Sequence, residues 1–268
     1  MLPCMKANIG DMEKQKALGY QAIDVAFTGV IYFDDPKPHE PILDGDDYEQ
    51  KLDYYIEKSK EIGIKILSTH IPYRYKYLEP ESETFERCHK MAVRALKASD
   101  YIGAEWAVMH VTTVEGTVNY VKRLLAESGV KNVGIAIENM CSRPISELIE
   151  VVDILAGEGY KVGICLDIGH CHQNKFFDND IPEVIKMMGH RIKMLHVHDN
   201  SRGPDVHKAP YMGTVPWEKV MKALKEIGYE GALNLEIMPA DIPKPARDAY
   251  EKYSVEIAKY LITLFESA

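Results

Sequence analysis

The sequence lacks several features that would assign the chain to a particular class of protein. Its five cysteines are an odd number and form no CxxC pair, so we expect no disulfide framework and a reducing, cytoplasmic location. No apolar stretch reaches the length of a membrane span, and the first residues lack the apolar segment of a secretory signal. We therefore expect a cytoplasmic protein with no membrane partner.

An excess of basic charge is also missing. The formal net charge is −9 at pH 7, whereas proteins that bind duplex nucleic acid usually present a basic face. No nucleic-acid partner is therefore expected. The sequence shows no linker, solenoid repeat or low-complexity tract. Because 46% of the residues are hydrophobic, the chain can bury a large core, and one domain over residues 1–268 is the simplest interpretation.

Short apolar runs alternate with helical segments along almost the whole chain, which is typical of parallel α/β folds. Seven strands are clear: 22–27, 65–70, 105–111 and four that end at Glu138, at Asp167, near His198 and at Glu236. The predicted helices are 10–18, 48–62, 83–102, 113–128, 145–157, 181–188, 215–227 and 244–266. An eighth strand is either short and degenerate within MLPCMKAN or lies before Met1. This pattern predicts a (β/α)8 TIM barrel.

Four acidic or histidine residues each end one of the apolar runs: Glu138, Asp167, His196 and Glu236. In a parallel barrel the C-terminal strand ends converge on one mouth. Three carboxylates and an imidazole would repel one another there unless a cation neutralised them. A single carboxylate could merely cap the next helix, so it is the repetition that favours a metal. We predict one divalent metal ion at these residues and no organic cofactor.

Five more residues could join this site as additional metal ligands or as substrate contacts: His70, His110, His198, Asp205 and His207. His198 lies on the same side of its strand as His196, because side chains alternate along a strand. Each of the five could also be an ordinary hydrogen-bonded or solvated residue. The loop 33–47 could be a solvated connection or a lid. Trp106 and Tyr73 could be pocket walls or ordinary core and loop residues.

The strand-end residues resemble those of the xylose isomerase-like barrels, a superfamily that includes sugar-phosphate isomerases and epimerases and endonuclease IV. The similarity covers most of the chain, from about Gly19 to Glu236. It is carried by IENM around Glu138, D-x-x-H at 167–170, H-x-x-D at 196–199 and the segment 213–237. The resemblance implies the barrel fold, the four metal ligands and a small carbohydrate substrate.

Two branches of this superfamily match different residues of the chain. Ketose 3-epimerases imply that His170 and Arg202 contact the substrate, but a Glu that they carry is replaced here by Pro144, which puts a free ketohexose substrate in doubt. Endonuclease IV-like proteins imply a trinuclear zinc cluster. The chain has candidate residues for its further ligands at His70, His110, His170, Asp205 and His207.

We therefore predict an isomerase or epimerase of a sugar, sugar phosphate or polyol that moves a proton through an enediolate. Glu138 and Glu236 would be the acid–base pair, and His170 and Arg202 would hold a substrate oxygen. Mn²⁺, Mg²⁺, Co²⁺ and Zn²⁺ all suit such ligands. Two alternatives stay open: a metal-dependent lyase or dehydratase on a keto-polyol, and an endonuclease IV-like multinuclear zinc phosphodiesterase. Relatives often oligomerise, so a homo-oligomer is compatible with the sequence.

Overall fold

Eight parallel strands form the centre of the molecule, and helices connect them along the chain. The computed structural model describes residues 1–27, 42–43, 45–72, 82–176, 180–238 and 242–268. The strands are β1 Pro3–Ala7, β2 Ala22–Ala26, β3 Lys65–His70, β4 Trp106–His110, β5 Gly134–Glu138, β6 Val162–Asp167, β7 Ile192–His196 and β8 Leu233–Leu235. The described α-helices are α1 Met12–Leu18, α2 Tyr48–Ile62, α3 Glu83–Tyr101, α4 Val114–Ser128, α5 Ile145–Gly157, α6 Ile168–Gln173, α7 Ile181–Met188, α8 Trp217–Glu226 and α9 Arg247–Ser267.

The strands follow one another around a nearly closed barrel. Each strand from β1 to β6 pairs with the next one, and β8 pairs with β1, so that β7 and β8 are the two edges of the sheet. The remaining gap is bridged just beyond β7, where the Val197 amide donates to the Asn234 carbonyl at 2.8 Å and the Glu236 amide donates to the Val197 carbonyl at 3.1 Å. The prediction of a (β/α)8 TIM barrel is confirmed.

The strand that was faint in the sequence is β1. It has five residues, Pro3–Ala7, and pairs in parallel with both β2 and β8. The chain therefore supplies the eighth strand within MLPCMKAN, and the alternative of a strand before Met1 is wrong. The pattern did not predict the short helix α6, which begins directly after β6 because the Asp167 side chain caps it by accepting from the His170 amide.

The barrel interior holds a small apolar layer below the mouth, made of Trp106, Val108, Ala136, Cys165 and Met194. Trp106 is the first residue of β4, so it lies towards the N-terminal end of the barrel. A Cβ at Gly134 would come within 2.4 Å of its indole ring, so this close packing requires glycine. The interpretation of Trp106 as a wall of the active-site pocket is therefore wrong.

Two other expectations concern the segments around Tyr73 and in the loop 33–47, and the lack of a membrane span. Tyr73 and most of the loop 33–47, with its suggested lid, lie outside the described residues. Within the described part of the chain, no helix has both the length and the apolar character that crossing a bilayer requires.

A buried carboxylate shapes the long loop between β7 and α8. Asp199 is fully buried and accepts hydrogen bonds from the amides of Tyr211 and Val215, at 2.9 and 3.1 Å. It also accepts from the indole N–H of Trp217 at 2.8 Å. The loop is thus folded back onto the start of α8, and its first half is held over the end of the barrel.

We expect the substitution Asp199→Ala to lower the free energy of unfolding by about 3 kcal/mol, because it leaves three N–H donors at a buried site without their acceptor. Urea denaturation followed by circular dichroism measures this loss. The matched control is Asp153→Ala, which removes an exposed pair with Arg191 and should cost less than about 1 kcal/mol. Equal losses in the two variants would contradict the anchoring role of Asp199.

Candidate metal centre

The C-terminal ends of the strands bring together nearly all the site residues predicted from the sequence. Their side chains form three groups, and the ligand atoms of each group lie within 4.8 Å of one another. The central group is Glu138, Asp167, His196 and Glu236; the second group is His70, His110 and Glu138; the third group is His170, His198, Asp205 and His207. Glu138 belongs to the central and second groups, and His198 of the third group contacts Asp167 of the central one, so the three form one continuous cluster.

Glu138, at the end of β5, is the residue that joins the groups. Its Oε2 lies 3.2 Å from the Nε2 atoms of both His70 and His110. Its Oε1 lies 3.4 Å from the Nδ1 atoms of His170 and His196. Burial alone would raise the pKa of this carboxyl, but His110 and His196 hold the pKa well below its usual range. Glu138 is therefore an ionised carboxylate shared among imidazoles.

Glu236 follows β8 and reaches the same point from another part of the barrel. Its Oε2 lies 2.5 Å from His196 Nδ1, and its Oε1 accepts from the Lys6 ammonium at 2.6 Å. Glu236 Oε2 and both ring nitrogens of His196 are buried and have no hydrogen bond of good geometry among the described residues. Buried polar atoms are nearly always satisfied, so Oε2 and Nδ1, which converge on one point, fit two ligand atoms of one divalent cation.

Asp167, at the end of β6, is held in place from several sides. Its backbone exchanges two hydrogen bonds with the Asn139 side chain, at 2.7 and 2.9 Å. Its carboxylate lies 2.9 Å from His198 Nε2. A Cβ at Gly169 would come within 1.9 Å of the His198 ring, so glycine at this position lets the imidazole reach Asp167. At the end of β7, His196 itself belongs to the central group, and His198, two residues further on, contacts Asp167 of that group.

The third group depends on the loop after β7. Asp205 Oδ2 lies 3.2 Å from His170 Nε2 and 3.1 Å from His207 Nε2. Burial would raise the pKa of Asp205, but hydrogen bonds from these two imidazoles hold it far below its usual range. His207 has a left-handed backbone (φ 44°), and its Nδ1 donates to the Glu236 carbonyl at 2.9 Å. The loop therefore delivers two further candidate ligands to the mouth.

Arg202 differs from the other predicted site residues, because its side chain is exposed. Its backbone amide donates to the Asn200 side chain at 3.0 Å. Burial of His172 lowers the pKa of that imidazole, and the positive charge of the Arg202 guanidinium lowers it further. The substrate-binding role of Arg202 stays a prediction.

Sequence reasoning missed two charged residues beside the central group, Lys6 and Asp24. They lie opposite each other on β1 and β2. Burial would lower the pKa of Lys6, but the carboxylates of Glu236, Glu138 and Asp24 raise it, so the ammonium stays charged. The signal that could have identified Asp24 is a charged residue inside the apolar run AIDVAF. The sequence offered no comparable sign for Lys6, since its strand, β1, was itself only weakly indicated by the sequence pattern.

The cluster carries more negative than positive charge. Its carboxylates are Asp24, Glu138, Asp167, Asp205 and Glu236, and Lys6 is the one ammonium that contacts them among the described residues. With neutral imidazoles this leaves four negative charges. Two divalent cations would balance them, so the donor set, the orphaned atoms and the charge all fit a metal centre.

A comparison with protein families matches residues 12–254 to the model described as xylose isomerase-like TIM barrel. The chain is 27% identical over 140 residues to the uncharacterized protein y4fM of Sinorhizobium fredii, covering 52% of this chain and 44% of that protein. It is 27% identical over 225 residues to the uncharacterized protein MJ1311 of Methanocaldococcus jannaschii, covering 74% and 73%. A probable endonuclease 4 of Carboxydothermus hydrogenoformans is 28% identical over 174 residues, covering 57% and 60%.

Solved structures with the same fold cover nearly the whole chain. A D-tagatose 3-epimerase-like protein has a TM-score of 0.70 at 17% identity, covering 100% of this chain and 99% of that one. D-psicose 3-epimerase from Clostridium cellulolyticum has a TM-score of 0.73 at 14% identity, covering 97% and 99%. The IOLI protein with a bound zinc atom has a TM-score of 0.72 at 18% identity, covering 100% and 99%. At such low identities, these TM-scores show a shared fold alone.

Removal of divalent cations should make the stability of the protein depend on pH. Burial would lower the pKa of His170 and His207, but Asp167, Asp205 and other carboxylates raise it above 6.5. Protonated imidazoles then stabilise the fold below that value, and this contribution is lost as the pH rises through the raised pKa. With a chelator present, we expect the melting temperature to fall as the pH rises from about 6.5 through the raised pKa of these imidazoles.

Differential scanning calorimetry of the chelated protein measures this slope. The control is a His170→Asn, His207→Asn double variant, in which the fall should be smaller because the two titrating groups are gone. A melting temperature that does not change with pH in the chelated wild-type protein would contradict the charge pattern described for the mouth.

Proposed function

The chain belongs to the xylose isomerase-like TIM barrel family, and we propose that it is a divalent-metal-dependent isomerase or epimerase of a carbohydrate. The observation that carries this proposal is the central group, in which two carboxylates from different strands, Glu138 and Glu236, meet with Asp167 and His196. Such a group can hold a cation and also provides two carboxylates for proton transfer at one substrate.

In the proposed reaction, one of the two carboxylates removes a proton from the carbon beside a carbonyl, and the electron pair moves onto the carbonyl oxygen to give an enediolate. The other side chain enters the step as a carboxylic acid and gives its proton to the opposite face of the same carbon in an epimerase. In an isomerase it gives the proton to the neighbouring carbon, and the hydroxyl proton of the first carbon moves to the oxygen of the second. Glu138 and Glu236 come from β5 and β8, so they approach the substrate from different directions. A divalent cation in the central group would stabilise the negative charge that develops on the substrate oxygens.

The charge of the mouth favours a neutral substrate. Above the raised pKa values of the imidazoles, five carboxylates, one ammonium and one divalent cation would leave two negative charges among the described residues. A phosphate group would be repelled by this surplus unless additional cations were present. We therefore propose an unphosphorylated sugar or polyol derivative as the substrate.

The experiment is hydrogen exchange in D₂O with the Mn²⁺-loaded protein and a panel of neutral ketoses, aldoses and ketopolyols, read by mass spectrometry. We expect deuterium at the carbon beside the carbonyl of at least one compound. The substitution Glu236→Gln should slow this exchange by about 10²–10⁴-fold, because it removes a proton-transfer group. Glu158→Gln, which changes an exposed carboxylate paired with Lys122, is the matched control and should leave the rate unchanged.

Metal content of each variant is measured beside the exchange rate, so that loss of the cation is separated from loss of the acid–base group. Absence of exchange with every neutral compound, in protein that holds its metal, would overturn the proposal. An unchanged rate in Glu236→Gln would overturn the role of that carboxylate.

The second and third groups favour a second candidate function, the hydrolysis of a phosphate ester. These groups provide two more sets of ligand atoms beside the central group, and they are connected to it through Glu138 and the His198–Asp167 contact. Three divalent cations would outweigh the four negative charges by two, which suits an anionic substrate. A multinuclear centre of this kind supplies a nucleophilic water and stabilises both the attacking and the leaving oxygen.

Metal stoichiometry separates the two candidates. The isomerase or epimerase requires one divalent cation per chain, and His207→Asn should then leave the metal content of the purified protein unchanged. The hydrolase requires two or three, and His207→Asn or His110→Asn should remove one of them together with hydrolysis of bis(p-nitrophenyl) phosphate. Elemental mass spectrometry on protein purified without chelator gives the count, and a chain that binds no metal would contradict both candidates.

A further inference from the structure

Asp24 is a charged residue in a place where charge is costly. It lies within β2, and its side chain is fully buried. Its Oδ1 accepts from the Ser68 hydroxyl at 2.8 Å, and its Oδ2 accepts from the Asn234 side-chain amide at 3.1 Å. A buried carboxylate is strongly penalised unless its partners compensate for the lost hydration. Two neutral donors alone compensate only in part, so a further partner is required.

The nearest charged partner is His196, the imidazole of the central group, and the Lys6 ammonium on β1 adds attraction. Asp24 Oδ2 lies 3.3 Å from His196 Nε2, a buried nitrogen with no other hydrogen-bond partner among the described residues. The other ring nitrogen, Nδ1, lies 2.5 Å from Glu236 Oε2 and 3.4 Å from Glu138 Oε1. The two nitrogens of the ring thus face different surroundings, one the barrel interior and the other the ligand atoms of the central group.

We infer that Asp24 is a positioning residue, which accepts the Nε2–H of His196 and thereby directs the Nδ1 lone pair towards the cation. The inference rests on the proposed function in one respect, namely that the central group binds a divalent metal. A carboxylate that accepts from the second ring nitrogen of a histidine ligand fixes both the ring orientation and the position of its proton. Asp24 touches neither the substrate nor the cation in this scheme.

The surrounding strands explain why Asp24 can perform this role. Ser68 lies directly opposite Asp24 on β3, and Asn234 belongs to β8. The carboxylate is therefore held by neighbours on two sides while its Oδ2 faces His196 at the end of β7. Because all four side chains are buried in the barrel, the carboxylate has little room to turn away, and the ring of His196 is held in turn.

Zn²⁺ binding to the wild-type protein, to Asp24→Asn and to Asp24→Ala tests the inference. The affinity is measured by competition with a chelator, and the signal is the ¹⁵N NMR shift of the His196 ring, so that only the central group is observed. We expect both variants to bind Zn²⁺ about 10–100-fold more weakly, as for other carboxylates that support a histidine ligand. Asp24→Asn keeps the shape of the side chain, so it carries the comparison if Asp24→Ala does not fold.

Ser68→Ala is the matched control, because it removes a hydrogen bond from the Asp24 oxygen that does not face His196. It should change the affinity far less than either Asp24 substitution. In the wild-type protein loaded with Zn²⁺, we expect Nδ1 to be the metal-bound nitrogen and Nε2 to carry the proton. If Asp24 only stabilised the barrel and did not position His196, Asp24→Asn would keep the nitrogen assignment of the wild-type protein.

The outcomes separate the inference from the proposed function. If His196 of the wild-type protein shows no Zn²⁺ binding, the proposed metal function fails. If the wild-type protein binds Zn²⁺ through His196, but Asp24→Asn has the same affinity and the same ring assignment, the positioning role of Asp24 is overturned while the metal function stands.

Discussion

The mouth of this barrel depends on the burial of several carboxylates within a few ångströms of one another. Asp24 and Asp167 are fully buried, and Glu138 is nearly so. Like charges at this distance repel strongly where water is excluded, so every carboxylate of the cluster contacts at least one imidazole, and Glu236 also holds the Lys6 ammonium. The same constraint makes the cluster a candidate site for cations, because a divalent ion could replace the protons that the imidazoles otherwise carry.

The barrel produces this arrangement through register and local shape. Adjacent strands place His110 opposite Glu138 and Asp167 opposite His196, so neighbouring ligands come from neighbouring strands. The loop after β7 adds ligands by another route. Asp199 holds its end, and the left-handed residues Arg202, His207 and Tyr211 turn the chain within it. Such backbone strain persists only where the surrounding contacts enforce it, and it concentrates at functional sites.

The number of cations that the mouth would bind links its geometry to its chemistry. The described carboxylates outnumber the ammonium by four, so each divalent ion would change the kind of substrate that the mouth attracts. With neutral imidazoles, one ion would leave a negative site suited to a neutral carbohydrate, two would balance the charge, and three would make the site positive and suited to a phosphate ester. The family fold supports both kinds of chemistry on one scaffold, and the outcome depends on which histidines take part.

The alternation of apolar runs and helices determined the barrel from the sequence, because each strand and helix has a local period. The position of Glu138, Asp167, His196 and Glu236 at the strand ends likewise predicted their convergence, since all parallel strands of a barrel end at one mouth. Only the tertiary structure placed Lys6 against Glu236, 230 positions away in the chain, and Asp24 behind His196. It alone showed that the Arg202 side chain is exposed. These contacts depend on closure of the barrel and on the orientation of individual side chains, which no local pattern in the sequence encodes.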